Sequence, residues 1–229
     1  MNRSIALFLL LAAFSLGLIA CASPPVRYHT LLSAREAPAT DPAPSGFLID
    51  VLAVGIPARL DQPQLVVREG PAGVVMPVGE HWAGPLEEEL RIALSAELTA
   101  RLKTRDVAGL ARPAHRSVLR IKVEIRRLDA WPGQKVRLDA DWSLGFADAA
   151  ADARLVSHGQ FEEPVPPGYP ELVLGQQRLI AALAEKIATD ARQWAAYPPR
   201  STEALAPERE KRLTTTGTTD TTKNENEKP

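Results

Sequence analysis

Two runs of strict alternation, set back to back around a turn, limit what this chain can fold into. Between Ser117 and Asp129, Leu119, Ile121, Val123 and Ile125 alternate with Arg120, Lys122, Glu124 and Arg126. Trp131-Pro132-Gly133 reads as a turn, and the alternation then resumes with Val136, Leu138, Ala140, Trp142, Leu144 and Phe146 on one side. Arg137, Asp139 and Asp141 fall on the other. A period of two places successive side chains on opposite faces of a strand, so this is a hairpin with one buried face and one wet face. Antiparallel pairing sets bases of the first strand near acids of the second. Ion pairing therefore accounts for Asp139 and Asp141 better than a pair of catalytic carboxylates would.

The rest of the folded part is read around that hairpin. Phe47–Val54 is a β-rich run ended by Gly55 and Pro57, and Leu65–Arg68 and Val74–Met76 are short strands around Gly70-Pro71-Ala72-Gly73. Arg27–Leu32 is expected to add a further strand to the sheet, and Arg154–Val165 a weaker one. From Pro85 to Lys103 the period changes. Leu86, Leu90, Leu94, Leu98 and Leu102 recur every four residues, with Ala93 and Ala100 beside them, which is an amphipathic helix. Pro85 suits its first turn, and Glu87, Glu88 and Glu89 suit its positive end; consecutive helix residues fan out and cannot converge on one metal ion. Glu171–Trp194 is a second helix, with Leu172, Leu179, Leu183, Ile187, Ala191 and Trp194 on one stripe. The expected class is α+β: a mostly antiparallel sheet with two helices packed on one face.

The ends of the chain read differently. Met1-Asn2-Arg3 precedes an apolar run, Ile5–Ile19, that is too short for the roughly 20 residues a membrane-crossing helix needs. It fits the centre of a secretory signal. Leu18-Ile19-Ala20-Cys21 closes it and resembles the bacterial lipobox, in which the cysteine gains a diacylglycerol and becomes the acylated N-terminus. Cys21 is the only cysteine of the 229 residues. In lipoproteins of this type an aspartate after the cysteine retains the protein on the inner membrane. Ala22 and Ser23 stand there instead, which implies the periplasmic face of the outer membrane. That compartment oxidises thiols, yet the mature chain has no pair to join. Ser33–Ser45 is rich in Pro and Ala and reads as a tether. From Pro198 apolar residues nearly vanish, so the tail through "TTTGTTDTTKNENEKP" is expected to be disordered. Lacking His and Cys, the tail has nothing to recommend it as a metal site.

Composition excludes some functions. Removal of residues 1–20 takes Arg3 from the 27 basic side chains and leaves 26 against 28 acidic ones, a net −2. Nucleic acid is therefore not an expected partner. His29, His81, His115 and His158 show no ligand spacing, and no nucleophile elbow, P-loop or dinucleotide fingerprint occurs. No catalytic residue, metal or cofactor is expected, although a triad assembled only in space stays open.

One segment is more specific. The start after the anchor containing Tyr28, the strand ending in Val-Gly-Ile-Pro, "LDQPQLVVR" from Leu60 and "HWAGPLEEEL" from His81 resemble the PqiC/YmbA-type family. These are auxiliary lipoproteins of ABC-type and MCE-protein transport systems. The resemblance covers most of residues 26–196 and is carried by Pro57, Leu60, Asp61, Pro63, Gln64, Leu65, Val66, Arg68, Trp82, Pro85 and Leu86. It departs at Gln62 and His81, where the family tends to have Arg, and the polar tail lies outside its pattern.

The resemblance implies a role and no reaction: work with an MCE-domain protein and its permease and ATPase in moving lipid between two membranes. On that basis the chain divides into a signal peptide (1–20), a lipidated N-terminus and tether (21–46), an auxiliary lipoprotein domain (47–197) and the tail (198–229). Two roles are open for the matching residues. Prolines and Asp61 shape a turn while Leu65 and Trp82 pack, or Arg59, Asp61, Gln64, Arg68 and Trp82 contact a partner. The implied function is an outer-membrane docking or conduit component, expected as a homo-oligomer. The alternatives are a scaffold or activator of a cell-wall synthase or secretion pore and, further off, a lipoprotein hydrolase.

Overall fold

The computed structural model describes residues 25–34, 46–111, 115–149 and 153–196. The expected signal peptide, Cys21, most of the expected tether and the polar tail lie outside the described residues. The elements in chain order are β1 (Arg27–His29), β2 (Phe47–Val51), a 3-10 turn (Ala58–Leu60), β3 (Val67–Glu69), β4 (Gly73–Val75) and β5 (Glu80–Trp82). They continue with α1 (Leu86–Leu102), β6 (Ser117–Trp131), β7 (Lys135–Phe146), β8 (Leu155–Pro164) and α2 (Tyr169–Ala196).

The main sheet has the order β2-β6-β7-β8. β6, β7 and β8 form an antiparallel meander, as the alternation predicts. Its first turn needs Gly133 at φ 71, a left-handed value that other residues adopt only with strain. β2 differs from its neighbours: it pairs with β6 in parallel, Ile49 opposite Leu119. Parallel strands need a long crossover, which residues 52–116 supply with α1 inside it. The strand pairing then loosens, but Leu52 and Gly55 still donate to the Ile121 and Val123 carbonyls at 3.0 Å each.

The alternation of β6 changes phase once. A bulge between Ile125 and Arg127 places one extra residue against β7. Ile121, Val123 and Ile125 are buried before it, and Leu128 and Ala130 after it. Asp129 is thereby moved to the opposite face. On that face the expected cross-strand pairs form, Arg126 to Asp141 at 2.7 Å and Arg127 to Asp139 at 3.5 Å, and Arg137 of the same strand also meets Asp139 at 3.0 Å.

Both helices cover the other face. The five leucines of α1 are buried, as are Leu172, Leu179, Leu183, Ile187 and Ala191 of α2, with Trp194 half-buried at the edge. Ala100 is exposed, outside the expected stripe. In the first turn of α1 the Arg91 guanidinium, bonded to Glu88 at 2.6 Å, holds that carboxyl below its ordinary range. Where α2 crosses the sheet, a Cβ at Gly175 would lie 2.4 Å from a Val165 methyl and 3.0 Å from one of Val136. Only glycine permits that approach. Trp142 fills the centre, 2% exposed, and its indole N–H donates to Asp190 Oδ2 of α2 at 3.0 Å.

Candidate functional site

Residues 57–68 run from the main sheet to an accessory layer. Pro57, at φ −62 and ψ 138, leads into the 3-10 turn, where Leu60 and Asp61 donate to the Pro57 and Ala58 carbonyls at 2.8 and 3.2 Å. The turn drives Leu60 into the core and leaves Arg59 and Asp61 exposed on its outer side. The chain then straightens. Pro63 accepts from the Trp82 N–H at 2.8 Å and Leu65 donates to the Glu80 carbonyl at 3.0 Å, with Gln64 bridged to His81.

β5 is thus held from both sides, because β1 pairs with it in parallel, Tyr28 opposite His81. This corrects the expectation that residues 27–32 would extend the main sheet. The strand is only three residues long, and its partner β5 is too short to show a period in sequence. Its anchor is a buried carboxylate. Glu80 is 7% exposed and takes the ring N–H of His29 at 2.5 Å, with Arg27 at 3.6 Å. Beyond β1, Glu89 of α1 accepts from the Thr30 hydroxyl at 2.6 Å and the Leu31 N–H at 2.8 Å. Glu89 therefore ties the start of the described chain to α1, besides sitting at the helix's positive end. Sequence reasoning passed over Glu80, since a single acid beside a histidine has no distinguishing spacing.

The five candidate contact residues do not share one cluster. Trp82 is 5% exposed and belongs to the core, so its visible work is packing. Gln64 is half-buried along β5. Arg68, on β3, turns toward the wet face of β6, where its Nε lies 3.0 Å and its Nη2 3.3 Å from the two Asp129 oxygens. Its guanidinium carbon also lies 5.9 Å from the Trp131 ring centre. Only Arg59 and Asp61 are openly placed. At the two departures from the family pattern, Gln62 is half-buried, while His81 has a buried Nδ1 that finds no hydrogen-bond partner among the described residues.

Arg68→Glu should therefore lower stability first. It sets a carboxylate against Asp129, whose side chain is 5% exposed, at a cost of about 2 kcal/mol. In a domain of this size that is a fall of about 4–8 °C in melting temperature. Thermal unfolding of the variant checks it, and restoration by the swap Arg68→Glu with Asp129→Arg would mark the pair as the cause. Unchanged melting would release Arg68 from its structural role.

Chemically, the arrangement offers a surface. An open groove of 480 Å³ lies between the helices, lined by Leu31, Leu32, Ala93, Ala100, Leu174 and Ile180. Among the described residues no group of three His, Cys, Asp or Glu side chains could hold a metal ion. No described helix is long and apolar enough to cross a membrane.

The fold and this surface define a small α+β domain with an accessory β layer. Residues 29–188 match the family model of the ABC-type transport auxiliary lipoprotein component, and the chain belongs to that family. No curated protein matches it. Among solved structures it is similar to an uncharacterized protein at 20% identity and a TM-score of 0.58, covering 73% of this chain and 99% of that one. That likeness concerns the fold. A Xanthomonas campestris protein matches at 14% identity and TM-score 0.47, covering 72% of this chain and 90% of the other. A minor lipoprotein from Acinetobacter baumannii matches at 14% and 0.30, covering 62% and 91%. The family is one of auxiliary lipoproteins of transport systems, which describes a membrane-anchored component of the cell envelope.

Proposed function

We propose that this chain is an outer-membrane-anchored lipoprotein that docks or guides a lipid conduit for an ABC/MCE-type transport system. Its membership in the auxiliary-component family across residues 29–188 carries the reading. Cys21, followed by Ala22 and Ser23, supplies the lipid anchor and its sorting to the outer membrane. The packing favours docking over carriage. The apolar face of the main sheet is spent on its own two helices, and the 480 Å³ groove is open to solvent. A domain with its core already filled serves a conduit as a rim, gathered as a homo-oligomer around an MCE-domain protein with its permease and ATPase. Arg59 and Asp61, held outward by the 3-10 turn, and Gln64 beside them are the side chains proposed to meet that partner.

Photo-crosslinkers at positions 59 and 61 in living cells, with mass spectrometry of the adducts, test this. Recovery of an MCE-domain protein is the expected result. Recovery of cell-wall synthases or secretion subunits alone would move the chain to another envelope machine. Ester turnover by the pure protein would reopen hydrolysis.

A further inference from the structure

The β4 strand, paired antiparallel with β3, and the turn that leads on to β5 carry an apolar rim that the docking role does not use. Val74 and Val75 of β4 are 49% and 38% exposed, Met76 is 48%, and Val78 reaches 82%. A run of four large apolar side chains within five residues, turned to solvent, is unusual on a soluble surface. The rim continues onto β1. The Arg27 N–H donates to the Gly79 carbonyl at 2.6 Å, which places Val26, 50% exposed, beside the Val78-Gly79 turn. Tyr28, 71% exposed, packs its ring 6.1 Å from that of His81.

We propose that this rim rests in the headgroup and upper acyl region of the bilayer that holds the lipid anchor. The proposal depends on Cys21 being acylated and rests on the short length of chain between that residue and the domain. Four peptide units separate Cys21 from Pro25, and no conformation stretches them beyond about 14 Å. Val26 and Tyr28 follow at once, so the domain end that carries the rim cannot leave the membrane surface. Valine and methionine side chains held that close gain by leaving water, and a tyrosine at the boundary keeps its hydroxyl wet while burying its ring. Insertion would fix the domain's tilt and turn the distal parts of the molecule toward the periplasm. A tether alone would leave that orientation free.

The test uses the full-length lipidated protein. With the Cys21 thiol acylated, Val78→Cys provides the sole reactive thiol, and Met76→Cys a second reporter. Val156→Cys on β8 is the control, because Val156 is 74% exposed. Each is labelled with an environment-sensitive dye and reconstituted into phosphatidylethanolamine–phosphatidylglycerol vesicles containing a lipid-borne quencher. Labels at 76 and 78 should be quenched on the order of threefold more than the label at 156, as expected for side chains 5–10 Å inside the interface. This difference should not change as protein is diluted in lipid. Equal quenching in protein that floats with the vesicles overturns the proposal alone. Shielding that disappears on dilution assigns the rim to a second copy of the chain and overturns it too. Protein that fails to float overturns the anchor and the proposal together.

Discussion

Trp142→Ala should destabilise the domain by roughly 3–5 kcal/mol, the range for removing a large buried aromatic. Trp142 is 2% exposed and stands between the main sheet and α2. Its loss leaves a void that rigid neighbours on β7 and α2 close only in part. It also removes a donor from Asp190, 5% exposed, whose carboxylate then keeps the Lys186 ammonium at 2.8 Å. Trp142→Phe separates the two effects: most of the volume stays and the hydrogen bond goes, for about 1–2 kcal/mol. Urea unfolding of both variants, with Asp190→Asn completing a double-mutant cycle, measures the coupling. An alanine variant as stable as its parent would mean that α2 is held to the sheet by something other than this contact.

Trp142 also shows how far the sequence can be read. Its place on the buried face follows from alternation alone, since a period of two admits one assignment once Val136 and Leu144 are inside. Asp190 could not be foreseen: an acid on a helix points to water unless a partner from a distant strand is known. The bulge in β6 left a trace in the adjacent charges Arg126 and Arg127, where strict alternation requires an apolar residue at one position. Extending the first phase would have put Asp129 in the core. The phase change instead takes it to Arg68, so the most distinctive string of the sequence acquires a structural duty at its last residue.

Pairing direction was beyond reach for β2, because a short apolar run looks the same parallel or antiparallel. β1 and β5, three residues each, carry no period at all. Their association depends on Glu80 finding His29 and Arg27, a long-range polar cluster with no local signature. The candidate site was legible as a string and illegible as a surface. "LDQPQLVVR" marked the segment, but only the backbone separates exposed Arg59 and Asp61 from buried Trp82.

Cys21→Ala should abolish incorporation of labelled fatty acid and move the protein from the membrane to the soluble periplasmic fraction. Each buried methylene holds a chain in the bilayer by about 0.8 kcal/mol, and a single myristoyl group binds only marginally. Three acyl chains on Cys21 would bind for the life of the protein, and none would bind none of the time. The apolar rim cannot replace them, because a handful of partly exposed side chains offers far less apolar surface than three acyl chains. Residues 1–20 complicate the bare substitution, since an uncleaved signal keeps its own apolar run, Ile5–Ile19. The decisive variant therefore carries Cys21→Ala behind a cleavable non-lipoprotein signal. It should fold with the parent's melting temperature, because position 21 precedes the first described strand, β1, which starts at Arg27. If that protein still sediments with outer membranes and is freed only by detergent, the anchor lies elsewhere in the chain, and the chain-length argument for the rim falls with it.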